Sequence, residues 1–535
     1  MGRKIEMRAW ITIILSFIVL LIFGTLLPIQ ADPDHYDIVI EGGRIVDGTG
    51  GPWYYGDVGI QNGRIRRIGD LKNTLSSRRI NGRGLVVTPG FVDIHTHADE
   101  EIEKLPFARN YIQQGVTTIV GGNCGDSIYP IGEKLASLER SGLGINFALL
   151  AGHATIRKRV IGMVDRAPTQ EELNKMKDLL AKAMEQGAVG LSTGLYYAPG
   201  SYAKIEEVIE LSKVVARYGG IYTSHIRDES DYNIGLVAAV KEAIEIGEKA
   251  NIPVQISHFK ALGRSVWGKS AEILNLIETA RGRGIDVTFD QYPYMASATS
   301  LKGALVPRWA QAGGDEKMKE RLHDPATRRK VREGMLTSLD KRGGPEKLLI
   351  ATFPPEPRLE GKHLAEIGKI KGIEPIDAAI EILVAGGASV VSFNMLDEDL
   401  IRIMQSPVGM VASDGSLVEF GKGVPHPRYY GTFPRILGKY VREDRILTIE
   451  EAIRKMTSAP ATRIGLVERG LIKEGMIADI AIFNPDTVRD KATFDKPHQY
   501  PVGIDWVIVN GQLAVSNGEW AGIKAGEVLY RQKEK

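Results

Sequence analysis

The stretch GFVDIHTHADE, residues 90–100, places His95 and His97 two residues apart directly after an apolar run. Residues i and i+2 of a strand point to the same side, so both imidazoles can approach one ion. The chain holds only 10 histidines, which makes the pair conspicuous. Asp93 and Asp99 flank it. A lone buried histidine is usually a hydrogen-bonded core residue; two at this spacing among carboxylates point to metal binding.

The same ending recurs along the chain. VTTIVGGNC ends at Cys124, INFALLAGH at His153, GIYTSH at His225, PVQISH at His258 and VGMVASD at Asp414. With VVTPGFVDIHTH, AVGLSTG and DVTFDQYPY these make eight apolar strand candidates alternating with helical segments. The helices are clear in TQEELNKMKDLLAKAMEQG, where Thr169 and Glu172 form a capping box, and in GLVAAVKEAIEIGEKA. Eight such units imply a (β/α)8 TIM-type barrel, although alternation alone also allows an open doubly wound sheet. In a (β/α)8 barrel the active site lies at the carboxyl ends of the strands, where these polar residues fall.

Histidine, thiolate and carboxylate are the usual ligands of zinc. His95, His97, Cys124, His225, His258 and Asp414 are the candidate ligands, enough for two ions. Cys124 is the single cysteine, so no intramolecular disulfide can form. It reads as a metal thiolate, with a nucleophile paired to a histidine as the alternative. Asp414 is placed to serve as general base beside the metal. Lys260, Tyr292, Tyr294 and Arg428 donate hydrogen bonds and could clamp an anionic group; core aromatics and solvated charges are the plain alternative. His153 is expected in the pocket.

Outside residues 90–466 the texture changes. YDIVIEGGRIVDGTG and GDVGIQNGRIRRIG near the start, and ADIAIFNPDT and GIDWVIVNGQLAVSNGEW near the end, are short β-rich runs broken by Gly-Gly, Asn-Gly and Asp-Gly turns. Residues 35–89 and 467–535 are therefore expected to form one small β-sandwich from both termini. About 115 residues separate the seventh and eighth strands, far beyond a normal crossover. Residues of about 301–374, rich in charge, Gly and Pro, read as an inserted lid, and DAAIEILVAGG and LDEDLIRIMQS as crossover helices. Residues 1–34 begin with basic residues and continue through an uncharged apolar run from Ala9 to Ile29. At about 1.5 Å per residue that run can cross a bilayer of about 30 Å. It is expected to export the chain as a cleaved signal peptide or to anchor it in the membrane.

Composition sets the remaining bounds. The 535 residues are 43% hydrophobic and 25% charged, with a net charge of +2. This near-neutral balance, with no basic run beyond short pairs such as RIRRI, gives no reason to expect nucleic acid as partner.

These motifs together resemble the amidohydrolase superfamily through GFVDIHTH, EGMIADIAIFNP and VNGQ. Through GGNCG, GLSTGLYYAPGSYA, SHIRDE, SHFK, WGKS, YPY, SDG, PHPR and GTFPR they resemble, within it, the N-acyl-D-amino-acid deacylases. The resemblance implies zinc held tightly by Cys124, His225 and His258, and a weaker site at His95, His97 and Asp414 with Cys124 able to bridge. It implies that Lys260, Tyr292 and Arg428 bind the substrate carboxylate. The family usually adds a serine shortly after the tyrosine; Ala298 stands there, between Ser297 and Thr299. Fourth-strand AVGLSTG lacks the metal-bridging lysine of many amidohydrolases, which argues against hydantoinases and dihydropyrimidinases. The expected activity is zinc-dependent hydrolysis of N-acyl-D-amino acids, small molecules with a free carboxylate, the D preference coming from the resemblance alone. The alternatives are an amidohydrolase acting on a cyclic amide or a D-terminal dipeptide, and a non-catalytic membrane-tethered relative.

Overall fold

In the computed structural model, which describes residues 35–531, the eight expected strands are present and parallel. They are Phe91–Asp93, Val116–Gly121, Asn146–Leu149 continued by Ala151–Gly152, Gly190–Gly194, Ile221–His225, Val254–Ile256, Val287–Gln291 and Gly409–Val411. Each pairs with the next. The third strand is broken at Leu150, but Leu149 still accepts a hydrogen bond from Val189 N. The ring closes where Thr96 bridges Gly415 in parallel, with His97 N donating to Gly415 O (2.7 Å) and Asp414 N to His95 O (3.0 Å). Closure thus occurs at the motif that opened the sequence, and the architecture is a (β/α)8 barrel.

The surrounding helices bury one apolar stripe each. Gln170–Glu185 starts with the predicted reciprocal Thr169–Glu172 cap and buries Met176, Leu180, Ala183 and Met184. Ile205–Arg217 and Leu236–Ala250 bury Val and Ile rows in the same main core.

Both termini share one nine-stranded sheet. Val86–Pro89 pairs antiparallel with Ile480–Phe483, joining the N-terminal strands to Ile504–Val509, Gln512–Ser516 and Glu519–Trp520. The long strand His35–Ile45 is kinked at Gly42–Gly43, so that one half pairs with Leu75–Asn81 and the other with Val86–Val87. Glycine is required there: Gly42 has φ +63°, and a Cβ at Gly43 would meet Val87 Cγ2 at 2.4 Å. The kink folds the sheet over an isoleucine-rich core that includes Ile40, Ile60, Ile480 and Ile508.

The insertion is larger than the 301–374 expected. It begins with Ser297–Ser300 and ends with Ser389–Ser392, which pair in a three-stranded sheet with Leu348–Thr352. Its own core runs from Leu301 to Val390. DAAIEILVAGG belongs to it: in the helix Pro375–Val384, Ile376, Ile380 and Leu383 pack within that core and against the helix Leu364–Lys371, not on the barrel. LDEDLIRIMQS does serve as crossover, its helix Asp397–Gln405 packing beside the eighth strand. The predicted leader, residues 1–34, lies outside the described residues. Among those described, no helix is long and apolar enough to cross a membrane.

Candidate metal centre and substrate cavity

A cavity of about 520 Å³ opens over the carboxyl ends of the barrel strands. His97, Cys124, His225, His258, Lys260, Tyr292, Asp414 and Arg428 all line it, and the insertion adds Ala298, Arg342 and Val391. His95 lies beneath, fully buried.

Cys124 is the hub. Its Sγ lies 3.4 Å from His95 Nε2, 3.4 Å from His258 Nε2 and 3.7 Å from His225 Nδ1. With zinc–ligand bonds of about 2.0–2.3 Å, the edges of a tetrahedral site are about 3.3–3.8 Å, so each spacing matches one edge, and His95, Cys124 and His258 lie close enough together to hold one ion. His95, His97 and Asp414 form a second group, with Asp414 Oδ1 3.1 Å from His97 Nε2 and 3.6 Å from His95 Nε2. His95 therefore stands between the two groups and is closer to the thiol than His225 is.

The backbone aims these side chains by unusual means. Cys124, His258 and Asp414 have φ of 54°, 36° and 49°, in the left-handed region that non-glycine residues seldom occupy. Such residues cost roughly 1–3 kcal/mol each and persist where surrounding structure holds them.

Electrostatics favour the ligand forms of Cys124, Asp414 and His225, whereas at His95, His97 and His258 burial lowers the imidazole but neighbouring carboxylates and the Cys124 sulfur outweigh it and raise the group. Burial pushes the Cys124 thiol up, but His95, His258 and His225 outweigh it and hold the group well below its ordinary range. Burial also opposes ionisation of Asp414, yet Arg428 and the histidines keep its carboxyl well below the usual range. Burial lowers His225, favouring the neutral ring that a metal needs.

Two carboxylates, Glu229 and Asp290, stand behind the imidazoles. Glu229 Oε1 lies 2.9 Å from His258 Nδ1 and 2.5 Å from Lys260 Nζ, and Oε2 lies 3.8 Å from His225 Nε2. Asp290 Oδ1 is 3.1 Å from His95 Nδ1 and accepts His258 N at 2.7 Å. A carboxylate on the far nitrogen fixes the tautomer and turns the other lone pair toward the metal. Asp93 accepts His95 N and Ser413 N, and burial pushes it up to about 7. Asp290 lies inside the strand run DVTFDQYPY, and Glu229 within SHIRDE, a motif that carries the resemblance without marking which of its charges is buried against the imidazoles.

The expected clamp residues reach the cavity, each already engaged. Lys260 donates to Glu229 and to the His258 carbonyl. Arg428 Nη1 is 2.8 Å from Asp414 Oδ2, and Arg428 Nε is buried without a hydrogen-bond partner. Tyr292 lies under both, its ring centroid 5.6 Å from Lys260 Nζ and 4.7 Å from the Arg428 guanidinium. Arg428 opens the helix Arg428–Arg435. Two expectations are corrected. His153 starts the helix His153–Ile161 and turns away to Glu207 (2.8 Å), which also pairs with Arg157, so it is not a cavity residue. Tyr294 packs against His426 and Arg435 and does not line the cavity.

The chain matches the model of the amidohydrolase family over residues 366–515. It is 35% identical to the D-aminoacylase of Alcaligenes xylosoxydans xylosoxydans, over 94% of this chain and 99% of that protein. It is 37% identical to the N-acyl-D-glutamate deacylase of the same organism, over 89% and 93%. The crystal structure of N-acyl-D-glutamate deacylase from Bordetella bronchiseptica, in complex with zinc and a phosphonate inhibitor that mimics the tetrahedral intermediate, superposes with a TM-score of 0.80 at 35% identity, covering 93% of this chain and all of that one.

Proposed function

The chain belongs to the D-aminoacylase family of amidohydrolases, and from that premise we propose that it is a zinc-dependent enzyme cleaving the amide bond of N-acyl-D-amino acids. The observation that carries the reading is the position of Cys124: one thiol ringed by three imidazole nitrogens at 3.4–3.7 Å, at a cavity that also presents Lys260, Tyr292 and Arg428.

Zinc on Cys124, His225 and His258, with His95, His97 and Asp414 able to take a second ion, supplies Lewis acidity toward the amide carbonyl and the attacking water. The remaining work falls to side chains. Arg428 and Lys260, beside Tyr292, hold the substrate carboxylate and so fix the amide relative to Asp414. Asp414 takes a proton from water as its oxygen joins the acyl carbon. It returns that proton to the amide nitrogen as the C–N bond breaks, leaving a carboxylic acid and a free amino acid. Glu229 and Asp290 keep His258 and His95 in the ligating tautomer. Ala298 offers no hydroxyl to the clamp.

A zinc-supplemented screen of N-acetyl-D- and N-acetyl-L-amino acids, with Asp414→Ala as control, tests this. D-selective release of amine that falls at least 100-fold in the variant is expected; L-selective turnover, or turnover untouched by the substitution, overturns the reading. The export reading rests on residues 9–29 of the sequence. Fractionation of cells expressing the full chain tests it, with the protein expected outside the cytoplasm or in the membrane fraction.

A further inference from the structure

The cavity holds a third cation besides Lys260 and Arg428, and its surroundings differ. Arg342 follows the helix Pro325–Lys341 of the insertion and is 2% exposed. Its Nε donates to Ala304 O (3.0 Å), Nη1 to Ser392 Oγ (3.1 Å) and Nη2 to Tyr196 OH (3.2 Å). Every acceptor is neutral. Lys260 has Glu229 and Arg428 has Asp414, but among the described residues no carboxylate pairs with Arg342. The acids near its neighbour Tyr232 are committed elsewhere: Asp228 accepts three backbone N–H groups, and Asp231 faces Lys341 at 3.5 Å.

A guanidinium carries five N–H donors, so three bonds leave two of them free. A buried charge without a partner is costly, and proteins keep one where a counter-ion arrives. The cavity therefore has two separate cationic subsites built on tyrosines. In one, Lys260 and Arg428 share the face of Tyr292. In the other, Arg342 sits between Tyr196 OH and the ring of Tyr232, whose centroid is 5.4 Å away, and Tyr196 in turn stacks on His225. One α-carboxylate can occupy the first; it leaves the second unfilled.

We propose that Arg342 is a specificity residue that receives a second carboxylate of the substrate, making this enzyme selective for dianionic N-acyl amino acids. This rests on the deacylase reading above and narrows its substrate class. The second carboxylate belongs either to the amino-acid side chain or to the acyl group, and both sources present the same chemistry to a guanidinium.

Two isosteric pairs separate the sources: N-acetyl-D-glutamate against N-acetyl-D-glutamine, and N-succinyl-D-leucine against N-succinamoyl-D-leucine. In the wild-type enzyme kcat/KM is expected to favour the acid over the amide by roughly 10- to 100-fold in one pair, the scale of a charge-assisted hydrogen bond. Arg342→Met should collapse that ratio toward one, and Arg342→Lys should restore part of it. A merely structural role, or a role in holding the α-carboxylate, lowers both members equally and leaves the ratio intact; that result overturns the proposal. The wild-type ratios decide the matter even where a variant fails to fold: no preference for the acid in either pair refutes it. Hydrolysis of the amides without such preference sinks this inference alone, whereas no hydrolysis of any N-acyl-D-amino acid sinks the deacylase reading and this inference with it.

Discussion

Glu229 offers the sharpest test of how the centre is held, because one carboxylate serves three partners. Its Oε1 takes both His258 Nδ1 (2.9 Å) and Lys260 Nζ (2.5 Å), and Oε2 faces His225 Nε2 at 3.8 Å. Burial opposes the charge on Glu229, yet Lys260 and the two histidines hold its carboxyl well below the usual range. Glu229→Gln can keep Oε1 as an acceptor for both close partners while removing the charge. It isolates the electrostatic support that makes His258 a better ligand. Glu229→Ala removes the acceptor as well and leaves Lys260, 4% exposed, a buried cation without a carboxylate partner. Loss of an outer carboxylate typically weakens metal binding 10–100-fold, or about 1.4–2.7 kcal/mol. The glutamine variant should fall near the lower end and the alanine variant near the upper. The alanine variant should also lose about 3–5 kcal/mol of folding stability from the broken buried pair. Chelator competition on zinc-loaded protein measures the first quantity and urea unfolding of the same samples the second. Unchanged zinc affinity in Glu229→Gln, or equal effects of the two substitutions, would refute the reasoning. Lys260→Met in the alanine background should recover stability without recovering zinc affinity, which separates the two roles of the carboxylate.

Cys124→Ser should lose tightly bound zinc, since a hydroxyl ionises far less readily than a thiol, which here burial raises but the histidines hold well below its ordinary range; metal analysis after dialysis reads this directly, and full retention would show that the thiolate is not a ligand. Lys455, under the eighth strand, is lowered to about 8, chiefly by burial, while its ammonium bonds the carbonyls of Ser406 and Gly409. Between about 8 and its ordinary value of 10.5 the unfolded chain binds the proton and the folded chain does not, so this group's contribution to stability rises with pH across that window. Denaturant unfolding of wild type and Lys455→Met at pH 7.5 and 9.5 should show the wild type gaining on the variant at the higher pH; a gap that narrows contradicts the assignment.

The barrel was legible because its strands end in residues that a buried apolar run would otherwise exclude. His95, Cys124, His225, His258 and Asp414 each close such a run, and the same fact locates both the carboxyl ends and the metal. The signal fails where a strand end is turned aside. His153 closes the third run but begins a helix immediately, and its ring points to Glu207. Supporting carboxylates carry no such mark. Arg227, Asp228 and Glu229 resemble a solvated charge run, yet all three are buried, since each finds a partner only after the chain folds: Glu242 for Arg227, backbone N–H groups for Asp228, Lys260 for Glu229. The insertion boundary was illegible for a related reason. An apolar helix such as Pro375–Val384 suits a barrel crossover or an inserted core equally, and only tertiary packing decides.

Arg342 shows why selection is the hardest part to read. In SLDKRGG it stands just past a helix end, where basic residues commonly meet the last carbonyls in solvent. Its burial depends on Ser392, Ala304 and Tyr196, which lie 50, 38 and 146 residues away. The zinc candidates, by contrast, all sit on barrel strand ends or the loops that leave them. Chemistry and selection therefore reside in different parts of the chain. Substitutions at barrel strand ends should change metal content and rate for every substrate together. Substitutions within residues 297–392 should change the ranking of substrates at constant zinc stoichiometry. A set of variants that mixes the two effects would show that the insertion helps to hold the metal centre rather than only facing it.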